Sequence, residues 1–309
     1  MIDRPATRAR ARSRVMRRAM QTCMLALLAV VCRASFGGTP LDAATTPGRS
    51  RVIRDVPFGP DPRERFDVYL ADGVKDAPVI FMVHGGGWSR GAKRAPGVAS
   101  DKAAHWVPRG FVVISTNYRM LPDTKPVDQA RDVARAIAEA QRRAASWGAD
   151  PAKFILMGHS AGGHLVDLLA TSPSAREGAT LAPWIGVVSL DAGAIDVPAI
   201  MRGRHARLFD DAFGGDTAYW REASPYDAIA AAGAPMLLVC SSLRRASCAD
   251  NERFAAKAAT LGTRAQLLPE PLSHAQIDHL VGTDSGYTAR IDAFLRTLDP
   301  AVAARLGGQ

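Results

Sequence analysis

Cysteine is scarce in this chain, aromatic residues make up 6% of it, and no apolar run is long enough to cross a bilayer. The longest such run, CMLALLAVVC (Cys23 to Cys32), falls well short of the roughly 20 residues a spanning helix needs. No CxxC pair, HExxH helix or Asp-rich calcium loop occurs, so the sequence supports neither a metal site nor a stable membrane span. No internal repeat is evident. A basic stripe is also lacking, despite a net charge of +9. Residues 1–34 carry eight arginines against Asp3 alone, which leaves the remainder at about +2. A nearly neutral body has nothing with which to track a phosphate backbone, and nucleic-acid binding is excluded as an expectation.

What is present starts with that arginine-rich segment, its short apolar run and the small residues that follow. Together they form the pattern of a secretory leader cut near Ala34, although Arg33 sits close to the cut and the basic part is long. Export to the periplasm or medium is expected; a cytoplasmic chain with a basic tail is the alternative. Removal of the leader leaves Cys240 and Cys248, which either pair across a loop, as suits an exported protein, or remain as two free thiols.

Residues 35–50 are a Gly, Thr, Pro and Ala linker. Beyond it, short runs rich in Val, Ile and Leu predict strands at 51–58, 65–71, 78–84, 111–118, 153–158, 184–190, 235–241 and 265–270. Helical periodicity fills 127–147, 161–171, 250–262 and 287–298. This alternation predicts one α/β domain over 51–299 with a mostly parallel sheet, helices on both faces and an antiparallel lead pair. Residues 192–233 hold no clear strand and are expected to form a small cap; residues 300–309 are expected to be a tail.

The chemistry gathers around two glycine-rich stretches. In GHSAG (158–162) Ser160 falls between a strand and a helix, where flanking glycines permit a sharp turn that exposes the hydroxyl. In VHGGGW (83–88) three successive glycines cost backbone entropy, and a loop whose N–H groups receive a developing oxyanion accounts for them. With WGADP (147–151), SPYDA (224–228) and LSH (272–274), these motifs resemble the α/β-hydrolase fold over about residues 51–298. They are most similar to its carboxylesterase branch, which includes hormone-sensitive-lipase-like and feruloyl or acetylxylan esterases. The resemblance implies a mostly parallel eight-stranded sheet, a serine esterase acting on small or medium esters through an acyl-enzyme, and no cofactor. It makes Ser160 the nucleophile and Gly86, Gly87 and Ala161 the oxyanion donors. His274, after the last strand, is the expected base.

The acid partner is the weak point of the pattern. The loop after strand 235–241 reads CSSLRRASCAD, and its first carboxylate is Asp250, expected as a helix N-cap. Asp250 is the first choice for the acid; Asp191, at the end of strand 184–190, is the alternative; a site with no acid is the third reading. Trp88, Phe213 and Trp220 are candidates for an apolar substrate wall. Two other functions stay open: a kynurenine-formamidase-like amidase, and a weakened family member that binds without turnover. Oligomeric state is not fixed by the sequence.

Overall fold

The computed structural model describes residues 49–307. The expected leader (1–34) and most of the linker lie outside them. The apolar runs form eight strands: β1 (Ser50–Pro57), β2 (Arg65–Ala71), β3 (Ala77–Val83), β4 (Val112–Thr116), β5 (Ala149–His159), β6 (Gly186–Leu190), β7 (Met236–Ser241) and β8 (Ala265–Glu270). They make one sheet in the order β1-β2-β4-β3-β5-β6-β7-β8. Only β2 runs antiparallel to its neighbours; β4 through β8 and β3 pair in parallel.

Alternation along the strands builds two cores. Val79, Phe81 and Val83 of β3 face one, and Ile80 and Met82 face the other; Phe154 and Leu156 alternate in the same way with Ile155 and Met157 on β5. Both faces therefore need helices. The helices in chain order are α1 (Ser100–Trp106), α2 (Pro126–Arg143), α3 (Ala161–Thr171), α4 (Val197–Arg202), α5 (Arg207–Phe213), α6 (Thr217–Glu222), α7 (Pro225–Ala228), α8 (Arg245–Thr260), α9 (His274–His279), α10 (Ser285–Arg296) and α11 (Pro300–Arg305). Helices α2, α3 and α8 cover the first core, whereas α1, α10 and α11 cover the second.

The α2 helix shows how the sequence sets its bounds. Pro126 occupies the first turn, Asp128 lies near the positive end of the dipole, and Arg142 and Arg143 lie near the negative end. The stretch 192–233 becomes four short helices, α4 to α7, three of them capped by the side chains of Asp196, Asp216 and Ser224.

Two expectations change. Helix α8 starts at Arg245 rather than at Asp250, so Asp250 is no N-cap; a Cys240–Cys248 disulfide ties the end of β7 to the first turn of this helix. The expected tail includes α11, whose Val302 is buried and whose Arg305 donates to the carbonyls of Gly110 and Lys75.

Candidate active site

The carboxyl ends of β3, β5, β6, β7 and β8 lie at one edge of the sheet, where the loops of parallel strands converge. At the end of β5 the chain turns into α3 through Ser160, which has φ 54° and ψ −118°. A non-glycine residue held there stores about 1–3 kcal/mol of strain. The surroundings fix it: the Ser160 N–H donates to the Leu190 carbonyl, and the Ser160 carbonyl accepts from the N–H groups of His164 and Gly193. The flanking glycines are needed because α3 passes so close. A Cβ on Gly162 would lie 2.2 Å from the Val83 carbonyl oxygen, and one on Gly158 would lie 2.2 Å from that of Gly162. Ser160 remains partly exposed.

The glycine loop after β3 closes against this turn. A Cβ on Gly85 would stand 3.0 Å from the Ser160 Cβ. The N–H groups of Gly86, Gly87 and Ala161 donate to no protein acceptor among the described residues. His84 is buried, with its ring stacked on Tyr118, and burial pushes its imidazole down to about 4. An ionic cluster built on the buried pair Lys93 and Asp67 anchors the far end of the loop. Lys93 Nζ lies 2.7 Å from Asp67 Oδ1 and 2.6 Å from Asp55 Oδ1, and Arg94 Nε lies 2.6 Å from Asp67 Oδ2. Burial would raise the Asp67 carboxyl, but hydrogen bonds from Arg94, the Asp55 N–H, Lys93 and Arg54 outweigh it and hold it well below the usual carboxylate range. No sequence motif marks this anchor.

His274 is the first residue of α9, not a loop residue, and the helix start is fixed by a Ser273–Gln276 capping box. Its carbonyl accepts from His159 Nε2 at 2.8 Å, and burial pushes the His159 ring down to about 4, so that ring is neutral near pH 7. Lys102, fully buried, holds the same helix through Asp278 Oδ1 at 2.8 Å. The His274 ring meets Ser160 Oγ through Nε2 at 2.8 Å and Asp191 Oδ2 through Nδ1 at 2.6 Å. A carboxylate accepts only, so Nδ1 carries the hydrogen and Nε2 is left to accept from the serine hydroxyl.

The carboxylate at Nδ1 is thus Asp191, and the first-choice position, Asp250, needs correction. Asp250 lies on α8 and pairs with Arg253 at 2.8 Å. Asp191 stands one strand earlier, at the end of β6, with φ 47°. The segment from the end of β7 through the first turn of α8, where an acid was expected, instead supplies donors to it. Ser247 Oγ and the Ser241 N–H donate to Oδ1, and Arg244 Nη1 donates to Oδ2 at 2.5 Å. Arg244 Nη1 is also 2.8 Å from His274 Nδ1, but two donors cannot bond, so this is contact alone. Burial would raise the Asp191 carboxyl; the bonds from His274 and Ser247, the Arg244 charge and the Ser241 N–H hold it well below its ordinary range. The Cys240–Cys248 disulfide closes the loop that carries these donors.

The three aromatic candidates are not an open wall. Trp88 and Phe213 are buried, with ring centroids 5.1 Å apart, and Trp88 Nε1 donates to His164 Nδ1 at 3.1 Å. Trp220 donates to the Gly214 carbonyl and packs partly buried among the short helices of 192–233. Trp88 and Phe213 pack the glycine loop against α5. Two cavities border the site: one of about 320 Å³ lined by Gly193, Phe209, Arg244 and Ser247 among others, and one of about 280 Å³ that includes Gly87. Among the described residues, no group of three or more His, Cys, Asp or Glu side chains is placed to hold a metal ion, and no helix is long and apolar enough to cross a membrane.

A family model described as BD-FAE matches residues 66–242, more than half of the chain and both glycine motifs. The chain belongs to the BD-FAE family. Among the relatives of this BD-FAE chain is a protein of Mycobacterium tuberculosis named probable carboxylic ester hydrolase LipM. It is 34% identical over 155 residues, which cover 46% of this chain and 35% of the relative. Isoprenylcysteine alpha-carbonyl methylesterase ICME of Arabidopsis thaliana is 31% identical over 130 residues, covering 41% and 29%. The BD-FAE chain spans about a third of the length of the curated relatives it matches. Among solved structures, esterase B from Lactobacillus rhamnosis superposes with a TM-score of 0.67 at 18% identity, covering 84% of this chain and 88% of that one. Thermogutta terrifontis esterase 2 phosphonylated by sarin gives 0.60 at 20% identity, covering 79% and 94%. At these identities the likeness shows the fold, which is the α/β-hydrolase fold.

Proposed function

We propose that this protein is a serine hydrolase of carboxylic esters. The observation that carries the reading is the continuous series Ser160 Oγ, His274 Nε2, His274 Nδ1 and Asp191 Oδ2, with contacts of 2.8 and 2.6 Å at a strained turn. Ser160 attacks the ester carbonyl as His274 Nε2 takes its proton. The oxyanion so formed lies among the N–H groups of Gly86, Gly87 and Ala161, which have no protein acceptor to give up. Collapse of the intermediate passes the proton to the departing alcohol and leaves an acyl-Ser160. Water, deprotonated by His274, then releases the carboxylic acid and restores the serine.

The esterase names of the relatives and the BD-FAE family match support this reading. The alternative of a binding protein without turnover rested on a missing acid, and Asp191 removes that motive. The test is steady-state turnover of p-nitrophenyl acetate by the wild-type chain, by Ser160→Ala and by His274→Ala, with N-formylkynurenine run in parallel. Ester turnover lost in both variants is expected. Faster cleavage of the formamide would favour the amidase reading, and equal ester turnover in all three chains would refute a Ser160 site.

We also place the protein outside the cytoplasm. The arginine-rich leader pattern supports this, as does a disulfide of the kind that persists in oxidising compartments. Cell fractionation and the N-terminal sequence of the mature chain test it; an intact Met1 in the cytosolic fraction would contradict it.

A further inference from the structure

The cavity of about 320 Å³ borders the hydrogen-bonded series through residues that contact its members. Its Gly193 lies on the Ser160–Ala161 peptide, so that a Cβ there would stand 3.1 Å from Ala161 N and 3.1 Å from the Ser160 carbonyl carbon. Its Arg244 contacts His274 and Asp191, and its Ser247 donates to Asp191. A group attached to an ester at Ser160 therefore has this space beside it, and the volume lies in the range of small-molecule sites.

The charge of the wall is distinctive. Arg204 and Arg244 line the cavity, and both are exposed. Arg244 spends Nη1 on Asp191, and its Nε and Nη2 have no protein acceptor among the described residues. The edge left over is the planar pair of donors that suits a carboxylate. The one carboxylate on the wall, Asp250, is paired with Arg253. His205 is a further cation when protonated, although Asp210 lies 3.0 Å from its Nε2. The apolar remainder, Ile195, Ile200 and Phe209, accommodates a short carbon chain.

We propose that this cavity is a subsite for a carboxylate borne by the ester substrate, with Arg244 and Arg204 as its recognition groups. The protein then prefers acidic esters, such as a half-ester of a dicarboxylic acid or the acyl ester of a hydroxy acid, over neutral esters of equal length. This rests on Ser160 being the nucleophile of an ester hydrolase.

The test compares kcat/KM, by proton release, within two matched pairs on the full chain. Ethyl hydrogen adipate against ethyl hexanoate places the acid on the acyl side; 4-acetoxybutanoate against butyl acetate places it on the alcohol side. In at least one pair the acidic ester is expected to win by about tenfold or more, the scale of a charge-assisted hydrogen bond. That ratio falls toward unity in Arg204→Gln and in Arg244→Gln, and shrinks as salt is raised to about 0.5 M. Because each ratio is taken within one variant, a general loss of turnover cancels. Equal or reversed preference in both pairs, with the neutral esters still hydrolysed and Ser160 still labelled by a fluorophosphonate, overturns the acid subsite and leaves the ester reading intact. Failure to hydrolyse any of the four, with no labelling of Ser160, overturns both.

Discussion

Replacing Asp191 by asparagine keeps the side-chain volume and removes the charge on which the His274 tautomer depends. In the wild-type protein this buried carboxylate accepts from His274 Nδ1, Ser247 Oγ, the Ser241 N–H and Arg244 Nη1. An amide has one accepting oxygen, so its NH2 group must face one or more of those donors. Either His274 loses its partner and turns, or it settles with the hydrogen on Nε2 and no longer accepts from Ser160. Loss of the acid in a serine triad costs on the order of 10⁴ in turnover, equivalent to about 5 kcal/mol of barrier. We predict a fall of that order in kcat for Asp191→Asn on p-nitrophenyl acetate, with a much smaller change in KM. Asp250→Asn removes an i,i+3 pair with Arg253 that is half exposed and worth about 0.5 kcal/mol or less, and it lowers kcat by less than about tenfold. Thermal melts of both variants separate misfolding from a lost base. A folded Asp191→Asn protein that keeps a tenth of wild-type turnover, or an Asp250→Asn protein equally impaired, would refute the assignment.

The pH dependence of stability provides a second check. Burial pushes the Asp167 carboxyl up to about 8, against an opposing hydrogen bond from Ser189, so the folded protein keeps a proton that the unfolded chain has released. Stability is therefore lost as pH rises from about 4 to 8, at up to 1.36 kcal/mol per unit. His84, His159 and His164, each pushed down to about 4 by burial, act oppositely: the unfolded chain binds their protons first, so stability is lost as pH falls from about 6.5 to 4. Urea melts are expected to show a maximum near pH 7, with the alkaline decline flattened in Asp167→Asn; an unchanged decline would contradict the buried neutral acid. Replacing Cys240 and Cys248 by serine opens a short loop and costs about 2.5 kcal/mol. Because that loop carries Ser241, Arg244 and Ser247, kcat is expected to fall about tenfold or more with it; lower stability with unchanged kcat would show that the loop holds its shape without the bridge. Gly162→Ala drives a Cβ into the Val83 and His84 carbonyls and is expected to destabilise by about 3 kcal/mol or more, read by thermal unfolding; a melt like wild type would contradict the close β3–α3 approach.

The sheet was legible because its central strands are apolar throughout, as in PVIFMVH and KFILMG, and all eight expected strands are present. Ser160 and the glycine loop were legible for a different reason. Glycines forced by backbone contact, as at Gly158 and Gly162, leave a local pattern that needs no knowledge of the rest of the chain. Asp191 was reached only as the alternative, from its place at a strand end, and no local pattern could rank it above Asp250. Which strand end delivers a carboxylate to His274 depends on how three loops meet in space, and SLDAGA is locally an ordinary strand end. The one available signal was negative: CSSLRRASCAD offers arginine where an acid was expected, and that arginine packs on the acid supplied by the neighbouring strand. The aromatic candidates failed because size and apolarity mark a core ring and a pocket ring equally; Trp88 and Phe213 are buried against each other. The Lys93–Asp67 anchor and the Lys102–Asp278 grip on α9 join residues 26 and 176 positions apart, beyond any local pattern.

The most direct measurement is intact-mass and peptide analysis after treatment of the full chain with a fluorophosphonate. If a hydroxyl held out on a strained turn is made nucleophilic by the imidazole beside it, one adduct forms and maps to Ser160; it is absent from Ser160→Ala and much slower to form in His274→Ala. No adduct on the wild-type protein, or an adduct that persists when Ser160 is replaced, would contradict the account.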